Sequence, residues 1–110
     1  MAAYQFINGT ATDIGTTPVD VYTVPSSKKS IMIGCSVSNI TGAALPIDVR
    51  LIKSDDTEVS LAKAVRVEGG TTTDIMSGKK LVMQSGEKVQ VVSKLDSSLD
   101  CVVSILEDVD

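Results

Sequence analysis

Residues 89–110 read VQVVSKLDSSLDCVVSILEDVD: two apolar, β-branched runs joined by the polar turn LDSS. In the first run Val89 and Val91 fall at every second position. In the second, Cys101, Val103 and Ile105 do the same. Alternation of period two puts one set of side chains on one face of an extended strand, the signature of a sheet with one face toward a core.

The same period recurs upstream. In PIDVRLIK it places Ile47, Val49 and Leu51 opposite Asp48 and Arg50. In SIMIGCSVSNI it predicts one face of Ile31, Ile33, Cys35 and Val37, and another of Met32, Gly34, Ser36 and Ser38. Turn chemistry separates the runs at Pro25, Gly42, Gly69-Gly70, Gly78 and Gly86. EVSLAKAVRV, residues 58–67, fits two periods. Leu61, Ala64 and Val65 have helical spacing, whereas Val59, Leu61, Lys63 and Val65 alternate. Its hairpin-like flanks favour a strand, because an isolated ten-residue helix is marginal.

The expected fold is therefore all-β: an antiparallel β-sandwich, Ig-like or jelly-roll-like, of seven to eight short strands. Residues 1–18 form an N-terminal arm or edge strand, and residues 19–110 the sandwich domain. With 110 residues there is room for one domain. Aromatics make up 3% of the chain, so the core must be aliphatic.

Charge and residue types narrow the function. A net charge of −4 disfavours nucleic acid, which binds through Lys and Arg. No run approaches the roughly 20 apolar residues of a membrane helix, and the start of the chain lacks the pattern of a secretion signal. The chain contains no histidine, which removes the commonest general base, nucleophile activator and metal ligand. GGTTTDIMSGKK has Thr73 and Lys80 where a phosphate loop needs Gly and Ser or Thr. Two acidic clusters, Asp55-Asp56-Glu58 and Glu107-Asp108-Asp110, lack calcium-loop spacing and read as a solvated hairpin tip and tail. Asn8-Gly9-Thr10 and Asn39-Ile40-Thr41 match the glycosylation acceptor pattern by chance. The expectation is a protein that is not an enzyme, with no catalytic residue, no cofactor and no metal.

Two groups of residues stand out. Cys35 and Cys101 both fall on inward faces and are either two buried thiols or a disulfide between facing sheets; the lack of an export signal favours thiols. Tyr4, Phe6 and Ile7 place apolar surface in the N-terminal segment, a candidate docking arm.

The residues Tyr22-Thr23-Val24-Pro25, the turn SSKKS after them, Val37-Ser38-Asn39, the hairpin Gly86-Glu87-Lys88-Val89 and the last strand LDCVVSILE together resemble a group of small virion proteins of tailed phages. The resemblance covers roughly residues 19–107. It implies a virion structural protein, made in the host cytoplasm and bound in many copies to the particle. Its partners would be the major capsid protein, or neck and tail proteins, and further copies of itself as a homo-oligomer. Capsid decoration (a cement protein) is slightly favoured over a neck, collar or tail component. A stand-alone carbohydrate-binding or adhesin-type sandwich is the alternative from another class, disfavoured by the scarcity of aromatic platforms.

Overall fold

The computed structural model describes residues 4–108. Residues 1–3 of the expected arm and Asp110 of the acidic tail lie outside them. Nine strands follow in order: β1 (Tyr4–Ile14), β2 (Val19–Thr23), β3 (Ser30–Asn39), β4 (Leu45–Ile52), β5 (Glu58–Val67), β6 (Thr72–Asp74), β7 (Leu81–Met83), β8 (Lys88–Ser93) and β9 (Leu99–Asp108). They form two antiparallel sheets. One runs β1-β9-β3-β6 with β7 also on β3, and the other runs β2-β8-β4-β5.

The order resolves the two alternatives left by the sequence. β6 pairs with Ser36–Ser38 and β7 with Ser30–Met32 of the same strand β3, so the two are halves of one interrupted strand. Counted that way, eight strands lie in the orders 1-8-3-6 and 2-7-4-5, the arrangement of a jelly roll. The ninth strand exists because residues 75–80 leave the ladder between the halves, a segment whose glycine and lysines read as a plain turn.

The interruption sits opposite a bulge, and that bulge corrects one sequence expectation. Met32 pairs with Ile105 and Gly34 with Ser104, leaving Ile33 as an extra residue. The extra residue inverts parity along β3. Met32, Cys35 and Val37 are fully buried, whereas Ile31 and Ile33 lie half-buried on the outer face. Period-two reading held from Cys35 onward and failed before it; glycine inside the strand was the available warning.

β5 is a strand, and its structure explains the helical spacing. Its pairing with β4 slips twice: Arg50 faces Ser60, Val49 faces Ala62, and Ile47 faces Val65. These two bulges bring Leu61, Ala62 and Val65 onto the core, an offset of three to four residues that imitates a helix face. The second bulge puts Ala64 at φ 52°. The Asp48 carboxylate accepts the Ala64 N–H at 2.7 Å there, in place of the lost ladder bond.

The core is aliphatic with five sulfur-bearing side chains, Met32, Met76, Met83, Cys35 and Cys101, set among Ile, Leu and Val. Such narrow residues let the sheets approach closely at one point. A Cβ on Gly9 of β1 would lie 2.6 Å from the Val21 carbonyl of β2, so that crossing tolerates only glycine.

Val103 is completely buried in β9, flanked by both neighbouring strands. Val103→Asp would bury an unpaired charge and cost at least about 4 kcal/mol, a large part of the stability of a domain this size. Circular dichroism of the variant is expected to show an unfolded or molten chain; a native-like cooperative melt would refute the face assignment.

Candidate assembly surface

A sandwich leaves two open ends where the apolar layer meets solvent, and here buried polar groups seal both. At one end Asn39, 1% exposed, closes β3. Its Nδ2 donates to the Ala43 and Val67 carbonyls at 2.7 and 2.9 Å. Its Oδ1 accepts from the Thr41 N–H and hydroxyl at 2.9 and 2.8 Å. Every capacity of the amide is used, so this asparagine is a structural hub and its glycosylation-like pattern has no accessible acceptor. Beside it, Ser98 shares a 2.6 Å hydroxyl contact with Ser93 and donates to the Leu95 carbonyl. The LDSS turn is further tied to β1 by the Ser98 N–H on the Ile14 carbonyl and to the β1–β2 connection by Asp96 accepting from Thr16.

At the opposite end Tyr22 bridges the two sheets. Its hydroxyl donates to the Glu107 carboxylate of β9, and Ser30 of β3 lies 2.6 Å from the same oxygen. Since the phenolic proton is committed to Glu107, Ser30 donates to Tyr22. Nearby, the covered carboxylate of Glu87 takes the Lys53 ammonium at 2.5 Å and the Gln84 N–H at 2.9 Å. Burial opposes charge on Glu87, but those two donors outweigh it and hold the carboxyl below its ordinary range.

The two cysteines share one sheet. Cys35 pairs with Val103 and Cys101 with Val37, which makes them diagonal neighbours on adjacent strands and not partners across the sandwich, where the bridge considered from sequence would have run. Both are buried free thiols. The hydrogen bond to Cys101 raises the Cys35 thiol first, and burial adds to it; as acceptor of that bond, Cys101 shifts the other way. Both sulfurs are buried in the core and shielded from reagents.

The candidate arm is the edge strand β1. Tyr4 and Phe6, 55% and 78% exposed, lie on the outer face, whereas Ile7 turns inward against the core. The register lines up Phe6 with Leu106, Leu106 with Ile31, and Ile31 with Val82. An apolar row thus crosses four strands on the outside of the larger sheet, ending in the exposed Val82. Next to it a groove of about 350 Å³ is lined by Phe6, Asn8, Ile33 and Ser104. This row was not visible in the sequence, because its members come from strands up to 100 residues apart.

On the other sheet a depression of about 320 Å³ is lined by Asp48, Arg50, Glu58, Ser60 and Lys63. Arg50 is paired with Glu58 there, so the depression gathers neutralised charge. Among the described residues no group of three His, Cys, Asp or Glu side chains is placed to hold a metal ion. No described helix is long and apolar enough to cross a membrane.

Solved structures share this fold. A chain from the acidic stable capsid structure of the Helicobacter pylori bacteriophage KHP30 matches 99% of this chain and 94% of its own, at 13% identity and a TM-score of 0.54. A chain of the infectious bursal disease virus Gx strain matches 98% of this chain and 33% of its own, at 13% identity and a TM-score of 0.56. A chain from the Bacillus endospore appendages, a family of disulfide-linked pili, matches 94% and 86% at 10% identity and a TM-score of 0.49. This chain therefore spans about a third of the bursal-virus chain and nearly the whole of the phage one. At such identities the likeness is one of fold. No protein-family model matches the chain, and no curated protein does.

Two measurements check the end seals and the thiols. A tyrosine ordinarily titrates at 10.0; Tyr22 is pushed up to about 12, by burial first and then by Glu107. Its stabilisation is present in full below pH 10 and is lost as pH rises through about 12. Tyr22→Phe should lower stability by about 1–2 kcal/mol at neutral pH, and the gap between variant and parent melting temperatures should close on the alkaline side. A gap constant with pH would mean that the hydroxyl carries no such linkage. Separately, an aqueous thiol reagent should leave both cysteines unreacted in the native state and modify both in denaturant, with the non-reduced mass showing no bridge.

Proposed function

We propose that this chain is a non-enzymatic structural protein of a virion, a small rigid module bound in many copies to the particle, with the capsid surface of a tailed phage as its place. The observation that carries this reading is the near end-to-end correspondence with the phage capsid chain, 99% of one and 94% of the other. The match is to a whole small protein, whereas the bursal-virus match is to a part of a larger one. A jelly roll is a fold of capsid proteins, and the tail-phage motifs around Tyr22 and Glu87 now have a mechanical role, since both residues hold an end of the sandwich shut.

The chemistry agrees with such a role. Among the described residues the buried polar side chains bond to one another or to the backbone and close the fold, except the Arg50 Nε, which has no partner. The surface offers an apolar row and an open strand edge, and the polar depression around Arg50 gathers neutralised charge. Partners would be the major capsid protein and further copies of this chain.

The chain is expected to co-sediment with intact particles in a copy number set by capsid symmetry, and to appear on the head in a particle reconstruction. Density at the neck or tail would move it to another part of the virion, and recovery only from the soluble lysate would refute the virion reading.

A further inference from the structure

Two sheets have four edges, and three of them are guarded. β5 carries Glu58, Lys63 and Arg66 and is bent by two bulges. β2 has five residues, a register shift, and Asp20 beside Lys88. β6 and β7 are three residues each. Short edge strands, charges and bulges are the devices that stop a sheet from recruiting another strand.

β1 has none of them over most of its length. Tyr4 to Ala11 pair with β9 in eight consecutive steps without a shift. The run from Tyr4 to Thr12, YQFINGTAT, holds no charge and no proline. Only at Asp13, with φ 52°, does the strand bend. Its outer edge therefore presents a straight row of backbone donors and acceptors about 30 Å long, at roughly 3.4 Å per residue.

We infer that this edge is occupied by a second copy of the chain, β1 against β1 in antiparallel register about a two-fold axis at Asn8, fusing the two larger sheets into one. The inference stands on the edge itself and does not rest on the virion reading.

Charge selects this occupant. The protein carries a net charge of −4, so a self-contact is favoured where no like charges meet, and YQFINGTAT is such a stretch. The register follows from using all of it. An axis at Asn8 sets Tyr4 opposite Thr12 and Phe6 opposite Thr10, and leaves Asp13 beyond the ladder. In antiparallel pairing, opposed residues share a face, so Phe6 stays on the outer side. Thr10 is itself opposite Val102, which is 39% exposed. The apolar row Val82, Ile31, Leu106 and Phe6 of one copy then runs on to Thr10 and Val102 of the other, covering the most exposed aromatic ring of the described chain. Closure also follows. An identical strand paired with itself makes an isologous contact that ends at two copies, and the far edge of the same sheet, β6 and β7, is too short to continue it.

Sedimentation equilibrium of the purified full chain should give a dimer across the micromolar range. Asn8→Lys sets two ammonium groups face to face on the axis and should weaken the dimer at least about a hundredfold, with the circular dichroism spectrum kept. Asn8→Ser should remain dimeric. Asn8→Cys should form an inter-chain disulfide under mild oxidation, because only residue 8 meets itself in this register. A monomeric wild type at near-millimolar concentration would overturn the inference, as would a folded Asn8→Lys variant that dimerises like the parent, or an Asn8→Cys variant that fails to cross-link.

Discussion

Everything in this fold depends on a thin aliphatic layer between two sheets. Without tryptophan, and with its few aromatics at the periphery, the chain cannot fill a wide gap; Val, Ile, Leu and Met must meet across a narrow one. Dense packing of small side chains leaves little tolerance for a change of even one methylene group. Gly9, where a Cβ would run into the Val21 carbonyl, marks how close the sheets come. Proximity also fixes what the ends require. A low-dielectric layer cannot accept unpaired polar groups at its rim, so Asn39, Ser93, Ser98, Tyr22 and Glu87 each find hydrogen-bond partners there.

How much of this could be read in advance follows from the range over which each determinant acts. β8 and β9 keep strict alternation, and β4 does up to Ile52, which is buried beside Leu51; their inward faces, Ile47, Val49 and Leu51, Val89 and Val91, Cys101, Val103 and Ile105, were legible residue by residue. The alternation in β3 broke at a single extra residue, and a bulge is decided by what lies across the ladder, here Ser104 and Ile105. β5 looked helical for the same reason, twice over. β6 and β7 were illegible as strands because three residues carry no periodicity, and their pairing is set by β3.

The surface was harder still. Tyr4, Phe6 and Ile7 form one apolar group in the sequence, but one of the three points into the core, and the row that gives Phe6 its meaning is assembled from strands at both ends of the chain. In the sequence Asn39 and Tyr22 are only pieces of motifs. Their partners, Val67 and Glu107, are 28 and 85 residues away, beyond any local pattern. Cysteine parity told that Cys35 and Cys101 are inward; whether they met within a sheet or across it depended on strand order alone.

The contrast among the four edges bears on how such a module can be used. A sandwich with no open edge is inert toward its own kind, and one with two open edges propagates into fibres. One open edge gives a limited association that stops at two. The charges and bulges on β5, the brevity of β2 and the split of β6 from β7 cost backbone hydrogen bonds that a longer, straighter strand would keep. Leaving β1 straight and uncharged from Tyr4 to Ala11 spares that cost at one place, where the sheet is already eight pairs deep in register with β9. The same eight pairs make the edge rigid before any partner arrives, so little ordering entropy is lost when it is covered. A stiff strand offers a neighbour more net binding than a flexible tail of the same composition would, and that difference separates an edge strand from an arm.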